Sequence, residues 1–328
     1  MPKSNRVLVC ELSENMMLHM ADSQPGQLPQ SFTPRRCANS DDLISAIKTY
    51  ISNNTDGTIE GIGLSAPGWE RDGEMSLTHM GFSLKREQIK YALHIKRLHL
   101  LNDCVAKALA VPQLEDTEVR PLNQTIPQPE SPMALIAAGH GLGLSYLVPH
   151  GLDSHAPIAS EGGHSDISAN SEREDHIIAH IRKRFGTVSR ERILSLSGIG
   201  LIYETISQLD GHKVFMRPSV ASIADQAMQG DPVAYETCGL FSSWLGAMAA
   251  DCALIYGAGG GVYLSGDALD DLGNAFDSES FNQRFNSKAR MKVYLSKIPV
   301  FQIKTNHLQI KGLMRLFDDL KPTNIPFH

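Results

Sequence analysis

Long apolar runs are missing from this chain, and so is any organised set of cysteines. The N-terminal stretch M-P-K-S-N-R-V-L-V has too short an apolar core for an export signal, and no apolar run approaches the length of a membrane span. The expectation is a cytoplasmic protein with no membrane partner. Cys10, Cys37, Cys104, Cys238 and Cys252 are scattered, odd in number and free of any C-x-x-C pair. They exclude a disulfide framework and a zinc knuckle, and predict reduced thiols. A basic excess is lacking too: 30 Lys and Arg stand against 36 Asp and Glu, a net charge of -6. Without that footprint nucleic acid is not an expected ligand. The one basic run, Arg182-Lys183-Arg184, reads as the solvated face of a helix.

What is present, 42% hydrophobic and 20% charged residues, is ordinary for a globular protein, and 328 residues are long for a single core. Periodicity predicts strands at 6–12 and 15–21 about a short polar turn, Ser13-Glu14. A helix capped by Ser40 follows over 40–52, then a buried-type strand at 59–65 closed by Pro67-Gly68. The segment G-L-S-A-P-G fails as a nucleophile elbow, because Pro67 stands where that motif needs its final glycine. After a helix at about 84–93, the apolar run Leu98, Leu100, Leu101 ends in Asn102-Asp103, and a small-residue helix starts at once. That sets a carboxylate at a strand-to-helix junction, where Asp is suited to cap the helix.

Residues 115–132 hold four prolines and little periodicity, and read as a loop or domain boundary. Strands at 133–138 and to Val148 flank Gly139-His140-Gly141-Leu142-Gly143, a hairpin whose backbone is open to a phosphate. Ser171 begins a helix, with Glu174 completing a capping box and Gly186 as the stop. His176 and His180 share a face of it but lack a third ligand, so they read as surface histidines and no metal site is expected. Asp231-Pro232 starts a long helix to about Tyr256. Gly257 to Gly261 then leads into a strand at 262–264, an order that does not suit a dinucleotide fingerprint. A strand at 300–304 and a helix from about 308 to 320 close the chain. The pattern predicts an α/β protein with mixed sheets, in two similar lobes with a cleft between them. The expected division is a small lobe of 1–113 plus 306–328 and a large lobe of 114–305.

These motifs, in this order, resemble the bacterial glucokinases of the hexokinase and actin-like kinase superfamily. The likeness runs from about Arg6 to Leu320. It rests on Asn102-Asp103 with Ala106-x-x-x-Ala110-x-Pro112-x-Leu114, on Glu161-Gly162-Gly163-His164 with Asp166 and Asn170-Ser171, and on the run Val188-Ser189-Arg190-Glu191-Arg192-Ile193-Leu194-Ser195. Gly260-Gly261-Val262 and Lys297-Ile298-Pro299-Val300 also fit. The resemblance implies a two-lobed, actin-like (ribonuclease H-like) kinase fold and a homodimer. It implies that Asp103 is the general base taking the proton from the 6-hydroxyl of glucose, and that Asn102, Glu161, His164 and Glu191 hold the other hydroxyls. Asn15, Gly139, His140, Gly141, Gly260 and Gly261 would meet ATP, with Mg2+ on its phosphates. Carboxylates and amides suit hydroxyls as an apolar pocket does not, and positioning is most of the catalysis in phosphoryl transfer.

The departures lie on the nucleotide side. Where the family reads D-x-G-G-T-N, this chain has Cys10-Glu11-Leu12-Ser13-Glu14-Asn15. Both glycines are gone, and the acidic residue that organises magnesium has become Cys10 or moved to Glu11. Glu14 adds a charge that costs about 1 to 4 kcal/mol beside a phosphate. In the second hairpin His140 replaces a threonine. Near the end A-G-G becomes Ser265-Gly266-Asp267, and G-S-G becomes Lys311-Gly312-Leu313. The asparagine of the family's sugar loop is absent from residues 76–80, where Thr78 or His79 is the substitute. The expected function is an ATP-dependent glucokinase. The alternatives are a weak or inactive glucose-binding homologue acting as a sensor, and a kinase with another phosphoryl donor.

Overall fold

The first strand, β1 (Asn5–Leu12), is apolar on both faces, and both are covered. Leu8, Cys10 and Leu12 enter one core, Val7 and Val9 another. The computed structural model describes residues 5–54, 57–77, 79–151 and 154–320. These fall into two units, one running to Leu114 and resuming at Thr305, the other spanning Glu115–Lys304.

In the first unit β1 pairs antiparallel with β2 (Met17–Ser23), and β2 with β3 (Thr33–Arg36). Helix α1 (Ser40–Asn54) leads to β4 (Thr58–Ala66), parallel to β1. A separate three-stranded sheet follows, β5 (Trp69–Arg71), β6 (Glu74–Leu77) and β7 (Phe82–Lys85). Then come α2 (Arg86–Leu93), β8 (Leu98–Asn102), parallel to β4, and α3 (Asp103–Ala110). The order across the main sheet is β3-β2-β1-β4-β8. A returning helix, Leu308–Arg315, packs on α3. Gly312 permits it, since a Cβ there would lie 1.8 Å from the carbonyl oxygen of Ala106. Gly61 and Gly63 of β4 likewise make room for Phe317 and Leu313.

The second unit begins with β9 (Val119–Pro121), then β10 (Met133–Ala138), β11 (Leu142–Pro149) and β12 (His155–Ser160). Five helices follow: α4 (Glu172–Phe185), α5 (Arg190–Ile193), α6 (Leu196–Leu209), α7 (Val220–Met228) and α8 (Pro232–Tyr256). Then come β13 (Gly261–Ser265), α9 (Asp267–Leu272), α10 (Ser278–Phe285), α11 (Lys292–Leu295) and β14 (Val300–Ile303). The sheet order is β12-β11-β10-β13-β14-β9. Leaving β9 aside, three antiparallel strands are followed by two parallel ones, as in the first unit. The fold is therefore α/β with mixed sheets in two lobes of like topology.

Several expectations need correction. The second strand starts at Met17 because residues 13–16 are spent on the turn. Helix α1 is capped by Asn39, whose Oδ1 accepts from Asp42 N at 2.9 Å, and not by Ser40. Strands β3, β5 to β7, β9 and β12 were unexpected, and β9 draws part of the proline-rich stretch into a sheet. Helix α8 is, by length and composition, apolar enough to cross a membrane, contrary to the expectation that no run approaches that length. Glu236 and Asp251 conceal this in the sequence. In the fold Phe241, Trp244, Leu245 and Met248 of α8 are buried in the second unit's core. All five cysteines are free and buried.

Candidate active site

Parallel strands bring their carboxyl ends to one edge of a sheet, the usual place for ligands in α/β folds. In the first unit Glu11, Ser65 and Leu101 stand side by side there. Two residues beyond Leu101 is Asp103. The cap of α3 is Asn102: its Oδ1 accepts from Cys104 N at 2.9 Å and Val105 N at 3.2 Å, and its Nδ2 donates to Gly68 O at 2.9 Å. A two-bond cap from Asn102 releases Asp103 from the capping role expected of it. The carboxylate sits in the first turn, where the helix dipole favours a negative charge.

Asp103 has a partner that the sequence reading missed. Lys107, one turn on, donates from Nζ to Oδ2 at 3.3 Å. Burial opposes the Lys107 charge, but Asp103 and, beyond it, Glu11 outweigh burial and carry the ammonium's pKa above its ordinary value. The carboxyl of Glu11 is pushed up, chiefly by burial, with Lys107, His19 and His307 pulling against the rise and Asp103 adding to it. Cys10 points the other way, into the core beside Leu8 and Leu12, and burial pushes its thiol up. Of the two candidates for the missing family acid, Glu11 is the one near Asp103.

The turn between β1 and β2 is tight. Met16 N donates to Ser13 O at 2.9 Å, Ser13 N to Met17 O at 3.0 Å, and Met16 takes the left-handed conformation with φ 66°. Asn15 Oδ1 accepts from Ser13 Oγ at 2.7 Å and Met17 N at 3.1 Å, doing locally what a glycine-rich turn does by backbone freedom. Glu14 is exposed at the tip. His79 is exposed, and Thr78 lies outside the described residues.

In the second unit Glu161, His164 and Glu191 converge. Gly162 and Gly163 press the loop onto β11, where a Cβ on Gly163 would lie 2.2 Å from Leu142 O. Glu161 and His164 thus flank a turn in which Gly163 leaves no room for a side chain. The loop is zipped to the segment ahead of α5 by Ile167 N to Val188 O (3.0 Å), Arg190 N to Ser165 O (2.8 Å) and a bridge between Asp166 and Ser189. This carries Glu191 to His164: Nδ1 is 3.7 Å from Glu191 Oε1, and Nε2 is 3.8 Å from Glu161 Oε2. Glu161 and His164 are exposed, so these polar atoms are open to solvent.

Glu191 also touches the glycine hairpin. Its Oε2 accepts from Leu142 N at 3.2 Å, and a Cβ on Gly141 would approach that oxygen to 3.0 Å. Gly139 O is held by Leu196 N, at the start of α6. His140, at the tip, is 4.0 Å from Asp267. Gly266, with φ 109° and a would-be Cβ 2.3 Å from Ala138 O, brings Asp267 close to that hairpin. Gly260 and Gly261 are accounted for by the fold: a Cβ on Gly260 would lie 2.7 Å from Ser131 O, and Gly261 has φ 118°. Ser265 Oγ is buried without a hydrogen-bond partner among the described residues.

Behind the loop lies a buried ion pair. Arg284 donates to both oxygens of Glu174, at 3.1 and 3.2 Å, and Trp244 Nε1 donates to Oε2 at 3.0 Å. Ser171 does cap α4, but the expected box is not closed on Ser171, for Glu174 Oε2 accepts from Asn170 N at 2.8 Å. Among the described residues no group of three or more His, Cys, Asp or Glu side chains is arranged to hold a metal.

Comparison with known proteins bears on this arrangement. The family model described as Glucokinase matches residues 14–319. A glucokinase of Chromobacterium violaceum is 38% identical over 255 residues, 77% of this chain and 72% of that protein. A glucokinase-like protein of Caulobacter vibrioides is 32% identical over 301 residues, 92% and 93% of the two chains. Among solved structures, glucokinase from an Antarctic psychrotroph superposes with a TM-score of 0.84 at 25% identity, covering 96% of this chain and 99% of that one. With these matches spanning both units, the chain belongs to the glucokinase family.

Proposed function

We propose that this protein transfers the terminal phosphoryl group of ATP to the 6-hydroxyl of glucose, with Asp103 as general base. The observation that carries the reading is the release of Asp103 from capping duty by Asn102, at the carboxyl ends of the parallel strands β1, β4 and β8. Its carboxylate is held but not consumed, and accepting one proton late in transfer asks little more of it. Glu161, His164 and Glu191 bind sugar hydroxyls, and one hydrogen of the Asn102 amide is left after Gly68 for another. The names of the Chromobacterium and Caulobacter relatives support the sugar and the reaction class.

The donor's phosphates are assigned to the turn with Asn15 and to the hairpin of Gly139, His140 and Gly141, with Gly260 and Gly261 shaping the backbone behind. Magnesium arrives with ATP as part of the substrate and neutralises charge on the phosphates. Glu11 is the chain's own carboxylate suited to orient that ion's water shell. Free, buried thiols fit a cytoplasmic location. A second reading is favoured by the carboxylates of Glu14 and Asp267, which repel phosphates: a sugar-binding protein with little turnover, or one served by a less charged donor.

The test is steady-state formation of glucose 6-phosphate from glucose and millimolar Mg-ATP, beside Asp103→Asn. Turnover that vanishes in the variant is the expected result. Absence of turnover in both proteins, with glucose bound in the same samples, would replace this reading by the second.

A further inference from the structure

Helix α3 is apolar and buried at Cys104, Val105, Ala106, Ala108, Leu109 and Ala110. In its midst Lys107 is the one charged residue after Asp103. The Lys107 side chain is three-quarters buried, which makes its charge costly to keep without a partner. Its hydrogen bond runs to Oδ2 of Asp103. Among the described residues no hydrogen bond ends on Oδ1. Glu11, at the end of β1, acts electrostatically on both groups, so two carboxylates share one cation.

We propose that Lys107 is a positioning residue for the base: by holding Oδ2 it fixes the rotation of the Asp103 carboxylate and leaves Oδ1 as the oxygen presented to the substrate hydroxyl. This rests on the reading of Asp103 as the base. The torsion that turns a carboxylate about its last bond is broad, so without the ammonium the two oxygens would wander. Misplacement of a reacting atom by about 1 Å lowers rate on the order of 100-fold while leaving substrate contacts intact. Glu11 supports the arrangement from behind by giving the ammonium a second anion. Lys107 touches neither sugar nor donor in this scheme, and its effect passes through Asp103.

The experiment compares wild type, Asp103→Asn, Lys107→Met and Lys107→Arg for kcat and glucose KM, with glucose affinity measured by calorimetry on the same samples. Methionine is close to lysine in length and shape, so this variant is expected to fold, and unchanged glucose binding will show that it has. The expected result is a kcat about 10- to 100-fold lower in Lys107→Met, with glucose KM within about twofold, and recovery of most of the loss in Lys107→Arg. A kcat in Lys107→Met close to wild type overturns the proposal. So does a loss carried equally by KM, or one that arginine does not restore, since either marks a structural role. If Asp103→Asn turns over like wild type, or wild type is inactive, the reading of the base has failed and the proposal falls with it.

Discussion

Glu161 is an exposed carboxylate whose one ion partner among the described residues is the His164 imidazole at 3.8 Å, so its acceptor capacity is available to a ligand. Charge-assisted hydrogen bonds of this kind are each worth about 1.5 to 3 kcal/mol, and Glu161→Gln is expected to weaken glucose binding about 10- to 100-fold. Calorimetry with unchanged affinity would remove Glu161 from the sugar site. Glu14 is the opposite case, a charge that would oppose the phosphates under the proposed function. Screened by water at the tip of its turn, it opposes a phosphate by about 1 kcal/mol, and Glu14→Thr should lower the KM for Mg-ATP about fivefold. An unaltered KM would mean that the turn does not meet the donor. Leu12 is no candidate for restoring the family's glycines, because it is a core residue. At this scale the sequence was informative about residue types and less so about their partners. Asn102 and Asp103 are both good caps, and only the backbone geometry shows that Asn102 does the capping. Lys107 lies one turn from Asp103, a spacing visible in the sequence, and passes there for an ordinary i,i+4 pair.

The loop that carries Glu161 and His164 depends on a group well behind it. Glu174 is half of a buried ion pair, and its removal would strand the Arg284 guanidinium among apolar residues. Breaking such a pair costs about 3 to 5 kcal/mol, so Glu174→Ala should lower the urea midpoint strongly and reduce glucose affinity as Asn170 and Ser168 lose their anchors. A midpoint within error of wild type would show the pair to be dispensable. Gly312→Ala tests another contact, where the new methyl meets the Ala106 carbonyl. Overpacking by one carbon costs about 1 to 3 kcal/mol, and thermal unfolding should register it. The long elements were legible, α4 because burial of one face stamps a period on it and α8 through its Asp231-Pro232 start and its apolar length. Short edge strands bury little and carry little pattern, which is why β3, β9 and β12 were not foreseen. The β5 to β6 hairpin did carry a sign, Asp72-Gly73, two residues with φ 54° and 81°. Glu174 looked like a helix cap because its true partner, Arg284, is 110 residues away.

For the whole molecule, repeated topology gives two hairpins of different sequence equivalent places in their sheets. Each joins the central strand of its sheet to the antiparallel neighbour, β1 to β2 and β10 to β11. The first makes its tight turn with Asn15 and a left-handed Met16, the second with glycines. Absence of the family's glycines therefore did not open the first turn, an outcome composition alone could not reveal. Retaining Glu11 beneath that turn has a cost for the fold that depends on pH. Burial raises its folded-state pKa above the ordinary 4.5, so between those two values the folded chain binds more protons than the unfolded chain. Stability attributable to this group falls as pH rises through that window and stays lowered above it. Glu11→Gln should accordingly stabilise the protein at pH 7, and the gain should shrink as pH is brought below 4.5, where the wild-type carboxyl is protonated in both states. Denaturant titrations of the two proteins at pH 7 and pH 4 decide the matter. An equal gain at both values would assign it to packing, and a loss at pH 7 would mean that the attraction of Glu11 for Lys107 outweighs the burial of its charge.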